Sequence, residues 1–234
     1  MIVRMGWLQK PQDWSLERFR EHWRGHHGDL ARQLPGLRAY VQNHIVDHVQ
    51  RGIAFQRGPM TLDGFSQLWF DDLAAMQAAI ASPVGPQLVA DEQVFIGDLR
   101  ITAVDSHTVI APPKQGALKR MSILRRKIGM SPEQFADEWR RVHAPLVRQL
   151  PGILGYRQNR ILSREWPKGH GVSHEAWPVD GVVELWFADT AALDAAFASP
   201  AGQAAMAHAN TFIEEITTFL VEPFVVVDRE GELR

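Results

Sequence analysis

The chain contains no cysteine, which excludes a disulfide framework and any thiolate metal site. Nowhere do roughly 18 apolar residues follow one another, and the opening Met1 to Trp7 lacks the apolar run of a leader. The expectation is a cytoplasmic protein with no membrane contact. Net charge is nearly absent: 25 Lys and Arg face 27 Asp and Glu, a balance of −2, and the cations are scattered among acids. That excludes the electrostatic footprint of a nucleic-acid partner. There is no glycine-rich phosphate loop, so no nucleotide cofactor is expected. What remains is 234 residues, 45% hydrophobic and 22% charged, enough for one ordinary core or two small ones.

The strongest pattern is internal repetition. Phe19, Trp23, Arg24, His27, Leu30, Arg32-Gln33-Leu34-Pro35-Gly36, Tyr40 and Gln42-Asn43 recur 116 residues later as Phe135, Trp139, Arg140, His143, Leu146, Arg148-Gln149-Leu150-Pro151-Gly152, Tyr156 and Gln158-Asn159. Asp63-Gly64, Leu68-Trp69-Phe70, Ser82-Pro83, Gly85 and Phe95 recur 117 residues later, so one residue was gained between the blocks. The expected organisation is a first repeat over 1–111, a proline-stiffened linker over 112–116, a second repeat over 117–227 and a tail over 228–234.

Each copy reads as strand, helix, strand, strand, helix, strand. In the second copy Ser131-Pro132-Glu133-Gln134 offers an N-cap, a proline at the first helical position and a Gln that reaches back. Phe135, Trp139, His143, Leu146 and Leu150 then share one helix face, with Pro145 expected to bend the helix and Pro151-Gly152 to end it. Strands are expected over 153–162, 182–187 and about 216–227, with alanine-rich helices broken at Ser199-Pro200. The segment 163–180, rich in Pro, Gly and Trp, reads as a loop able to act as a lid. The class is therefore α+β: two ferredoxin-like (βαββαβ) repeats with antiparallel sheets packed face to face as an intrachain α+β barrel, helices outside.

The blocks Phe-x3-Trp-x3-His-x-x-Leu with Leu-Pro-Gly, Tyr-x-Gln-Asn, and Asp180-Gly-Val-Val-Glu184-Leu-Trp-Phe187 make the chain resemble the EthD family of the dimeric α+β barrel superfamily. The resemblance spans nearly all of both copies. The first departs from it where Gly28-Asp29 replaces Ala144-Pro145 and Gln67 replaces Glu184. It implies an enzyme acting on small aromatic or lactone-like compounds, with relatives that isomerise, decarboxylate or dehydrate. Other superfamily branches are cofactor-free monooxygenases or bind haem.

His27 and His143 occupy places on an apolar helix face where leucine would pack better, which makes them candidate acid–base residues. Packing against a backbone carbonyl is an equal reading. Tyr40 and Tyr156 start the next strand and could steady an oxyanion; in the resemblance, such a His and Tyr match the acid–base pair of the muconolactone methylisomerase type. Glu184 lies on the strand face of Val182 and Trp186, either as a proton-exchanging carboxylate or paired with Arg157 or Arg160. Trp23, Trp69, Trp139 and Trp186 recur and are candidates for substrate binding, while Trp166 and Trp177 on the long loop could cover an apolar ligand. Asp63 and Asp180 precede glycine and read as turn residues. His44 with His48, and His170 with His174, have four-residue spacing but no third ligand, so no metal is expected, and no histidine reads as a haem ligand.

Two functional readings follow. One is a cofactor-independent lyase or isomerase acting on a small aromatic, polyketide-like or lactone compound by His-mediated proton transfer. The other is a non-catalytic binding module for a hydrophobic small molecule. Either way the expected partner is a small hydrophobic or aromatic ligand, and the halves form an intrachain pseudo-dimer, with a further homodimer left open. If one half alone works, the second, with Glu184 and Ala144-Pro145, is the expected one.

Overall fold

The computed structural model describes residues 1–229 and Gly231, so the expected tail lies largely outside the described residues. The first repeat contributes β1 (Ile2–Gln9), α1 (Leu16–His22), α2 (Gly28–Ala31), β2 (Ala39–Asp47), β3 (Gly64–Phe70), α3 (Leu73–Ala81), α4 (Val84–Phe95) and β4 (Asp98–Ile110). The second contributes β5 (Leu118–Arg126), α5 (Pro132–Asp137), α6 (Ala144–Val147), β6 (Gly155–Glu165), β7 (Gly181–Phe187), α7 (Thr190–Ala198), α8 (Pro200–Phe212) and β8 (Ile213–Asp228).

All strand pairs are antiparallel, and the order β1-β3-β2-β8-β5-β7-β6-β4 closes on itself. The facing sheets are joined at both edges, β2 to β8 and β4 to β6, into one eight-stranded barrel. No strand edge of the barrel is left to solvent. This pairing explains why β6 and β8 outrun the lengths expected from the sequence: Ser163, Arg164 and Glu165 pair with Ala103, Thr102 and Ile101 of the other repeat.

Alternation along each strand divides its side chains between two environments. Val3, Met5, Trp7, Phe65, Trp69, Met121, Val182 and Phe219 fill the barrel interior. The opposite face carries Tyr40, Leu68 and Phe70 in one repeat and Tyr156, Leu185 and Phe187 in the other, under the helices. The expected capping box forms, Ser131 accepting from Gln134 N while the Gln134 side chain accepts from Ser131 N. Ser199 likewise caps α8.

Each repeat sends its long loop across to the other. Trp166 donates to Asp98, and Lys168 pairs with Glu92, so the second repeat's loop lies over the first repeat's α4. In return Gln50 donates to Ile216 O at 2.6 Å and Arg57 to Thr218 O at 3.1 Å. Trp177 is 2% exposed, packs edge-on against Trp7 at 5.0 Å, and with Trp166 lines a cavity of about 290 Å³. No single helix among the described residues is long and apolar enough to cross a membrane.

Candidate active site

Between α1 and α2 the helix widens into a π-helical segment, Trp23–His27, and the same occurs over Glu138–His143 between α5 and α6. A bend was expected at Pro145, but the first repeat has no proline there and also widens, over five residues against six. The cause is the strand beneath. Gln42 donates to Trp23 O at 2.6 Å and Gln158 to Trp139 O at 2.8 Å, engaging the carbonyl that the widened turn shares. The same amides donate to the hydroxyls of Tyr40, at 3.2 Å, and Tyr156, at 2.6 Å, and the Trp23 indole donates to Tyr40 at 2.9 Å. Trp23 and Trp139, expected to bind substrate, are buried and brace the tyrosine, and each also lines its repeat's crevice. Each indole presses on a glycine, Gly64 or Gly181, where a Cβ would collide with the ring. That contact accounts for the recurrence of Gly64 and Gly181. Asp63 and Asp180, expected as local turn residues, accept instead from the distant Lys10 N and Arg126 N at the ends of β1 and β5.

The π segments aim His27 and His143 into crevices between helices and sheet. Each crevice also holds the repeat's tyrosine and a buried arginine, Arg4 or Arg120, that sequence reasoning missed. Each has an open volume of only about 30 Å³, room for little more than water. A porphyrin does not fit either one.

The two crevices differ in charge. In the first, Asp91 on α4 takes Nδ1 of His27 at 2.8 Å and Nε2 of His22 at 2.7 Å. Burial opposes ionisation of Asp91, but the hydrogen bonds from His27 and His22 outweigh it and hold the carboxyl below the ordinary carboxylate range. Since a carboxylate only accepts, Nδ1 of His27 carries a proton, and in the neutral ring the free lone pair is therefore on Nε2. Arg4 lines the same crevice, buried and, among the described residues, with no carboxylate at ion-pair distance. Glu92 and Lys168 complete its polar wall.

In the second crevice His208 stands where Asp91 stands, and Glu138 where His22 stands, so acid and base have exchanged places. His208 contacts Nδ1 of His143 at 3.3 Å and Glu138 at 3.2 Å. Burial first, and then His208, push His143 down to about 3. The rest of this lining is apolar apart from Tyr156 and Arg120. Burial raises both tyrosine hydroxyls well above their ordinary value, so each stays protonated and can donate.

Glu184 lies elsewhere. It alternates with Leu185, the partner of Tyr156, and so faces the barrel interior with the sheet between it and His143. It cannot exchange protons with a ligand held beside His143 and Tyr156. Its ion-pair partner is Lys119, at 2.6 Å, rather than Arg157 or Arg160. Burial opposes ionisation, but Lys119 and Arg157 outweigh it and hold this carboxyl below its ordinary range. Arg160 goes to Asp105. Trp69 and Trp186 are in the barrel too, at the mouth of a cavity of about 260 Å³. Of the paired histidines, His44 is buried on β2 beside Arg24, and His174 contacts Asp180 at 3.1 Å.

A closed barrel of eight antiparallel strands, built from two βαββαβ units with helix-covered crevices, is the dimeric α+β barrel arrangement within one chain. The EthD domain matches residues 11–98 and again 127–216, and the chain belongs to the EthD family as a tandem of two such domains. Among solved structures it is similar to an anthrone oxidase-like protein, at 10% identity over 96% of this chain and 93% of that one, with a TM-score of 0.64. It is also similar to a candidate monooxygenase from Lactobacillus acidophilus, at 11% identity over 97% and 96%, TM-score 0.61. A second candidate monooxygenase, from Fusobacterium nucleatum, matches at 8% identity over 98% and 94%, TM-score 0.64. At these identities the likeness is one of fold. No curated protein matches the chain.

Proposed function

We propose that the protein is a lyase or isomerase that moves a proton beside a carbonyl in a small aromatic, polyketide-like or lactone compound, and that the first repeat does this work. The observation that carries the reading is the Asp91–His27 pair at 2.8 Å facing a crevice that also holds Arg4, which has no ion-pair partner among the described residues. Asp91 fixes the tautomer and would steady the imidazolium that forms when Nε2 takes a proton. Arg4 supplies charge for a developing enolate, and the Tyr40 hydroxyl, accepting from Trp23 and Gln42, keeps its own proton to donate there. Chemistry of this kind runs on the chain's own residues and calls for no cofactor. His143 is a poor base by comparison, because a group held at about 3 takes up little proton at neutral pH.

Access requires the loop carrying Trp166 and Lys168 to lift, since the crevice is closed at rest. The name of the anthrone oxidase-like structure supports a flat polycyclic compound as one class to try. The test is turnover of a panel of aromatic ketones, β-keto acids and lactones by the protein and its His27→Ala variant. Loss of turnover by a factor of about 10² or more supports the reading; undiminished turnover by a folded His27→Ala protein overturns it. The closed crevice favours a second reading, a binding module, which predicts retention of a compound from the panel without conversion.

A further inference from the structure

A cavity of about 260 Å³, roomier than either crevice, lies on the other face of the sheet, at one end of the barrel. Its walls include Trp69, Trp186, Gln67, Lys119 and Arg157, and it is bounded on one side by the linker prolines Pro112 and Pro113. The linker is packed tightly there, since a Cβ on Gly155 would meet Pro112 at 2.8 Å. Trp69 and Trp186 are equivalent residues of the two repeats, so the cavity sits on the pseudo-two-fold axis.

The equivalence fails in one concerted way. Lys119 pairs across its ladder with Trp186 as Val3 pairs with Trp69, and Arg157 pairs with Glu184 as Val41 pairs with Gln67. Three positions that are neutral in the first copy are thus charged in the second, and all three converge on this space. Two of the charges satisfy each other. The Lys119 ammonium directs its three protons at Glu184, at 2.6 Å, Asn43, at 2.8 Å, and Gln67, at 3.2 Å. Glu184 in turn accepts from Gln67 and Asn159, both at 2.7 Å.

Arg157 is the charge left over. It is 5% exposed, and its one hydrogen bond among the described residues is a 3.4 Å contact with the hydroxyl of Thr108. Its guanidinium carbon lies 5.8 Å from each of the two indoles, Trp69 and Trp186. The buried side chains here are two cations and one anion, and the exposed Lys114 and Asp228 that also line the cavity add one charge of each sign, so one buried positive charge stays uncompensated, which is costly unless an anion shares the space.

We infer that this cavity is a second ligand site, distinct from the crevice of His27, which takes a small aromatic carboxylate. The carboxylate meets the Arg157 fork, a geometry that guanidinium matches with two parallel hydrogen bonds. The ring lies between the Trp69 and Trp186 indoles. The volume, just under the roughly 300 Å³ lower end of small-molecule sites, suits about one or two fused rings. Lys119 is a positioning residue here, since its protons are already engaged.

The test is calorimetric titration of the protein with naphthoate and with its uncharged analogue naphthamide. Naphthoate is expected to bind, and naphthamide to bind about 10- to 100-fold more weakly, the range of a charge-assisted contact. Arg157→Val, which installs the first copy's residue, is expected to abolish this difference while leaving the thermal midpoint unchanged or raised; Arg157→Lys is expected to retain part of it. Equal binding of the two probes overturns the proposal. So does naphthoate binding that survives Arg157→Val, or that is lost in Arg4→Met instead, which would place the ligand in the helix-covered crevice.

Discussion

Asp91 holds Nδ1 of His27 at 2.8 Å, while at the same place in the second repeat His208 meets Nδ1 of His143 at 3.3 Å. One duplicated histidine has thus been given two opposite electrostatic settings. Beside a carboxylate the imidazole is oriented through Nδ1; beside a second imidazole, in an apolar lining, the His143 cation is penalised. The asymmetry between the repeats follows from these neighbours more than from the histidines.

The second setting has a consequence for acid stability. His143 is held at about 3 in the folded protein against an ordinary value near 6.5. Between those values the unfolded chain binds a proton that the folded state refuses, so stability falls as pH drops below about 6.5 and does not change above neutrality on this account. His44, also pushed to about 3 by burial and by Arg24 and Arg20, acts in the same direction. Urea unfolding at pH 7.5 and 5.0 should show this loss, and His143→Asn should reduce it by about 2 kcal/mol, at about 1.4 kcal/mol per unit of pH. An unchanged loss in the variant would contradict the assignment.

The Lys119–Glu184 pair predicts non-additive stability. Removing one partner strands a buried charge and should cost about 3–5 kcal/mol, whether by Lys119→Val or by Glu184→Gln. The double variant, which reproduces the Val3 and Gln67 of the first repeat, should recover most of that loss. A double-mutant cycle in urea reads the coupling directly; additive losses would mean that the two side chains do not act as a pair.

The indole over Gly181 predicts a steric cost with a specific rescue. Gly181→Ala should destabilise the protein by about 1–3 kcal/mol, because its methyl group enters the space of the Trp139 ring. In a Trp139→Leu background the same substitution should cost far less. Thermal melts of the four proteins decide the matter.

Much of this architecture was legible in the sequence, and the reasons are physical. The 116- and 117-residue offsets revealed two units, Ser131 to Gln134 declared a helix start, and the alternation of Val182, Glu184 and Trp186 put Glu184 inside the barrel. The sheets' joined edges were not legible, because β-pairing between repeats depends on backbone registers that side-chain patterns do not encode. Nor was the partner of Glu184: Lys119 precedes Met121 and Ile123 on the inward face of β5, a signal visible only once that face is known to be interior. Asp91 and His208 were missed because nothing on their own helices marks the histidines they meet. Their meaning appears when the swap of His22 for Glu138 is read with that of Asp91 for His208.

The central claim is that proton transfer belongs to His27 and not to His143. Its most direct measurement follows deuterium uptake from D2O beside the carbonyl of a compound the protein converts, in the wild type and in His27→Gln and His143→Gln. The account predicts that exchange falls by about 10²- to 10⁴-fold in His27→Gln and stays within a few-fold of wild type in His143→Gln. Loss in His143→Gln with normal exchange in His27→Gln would contradict it.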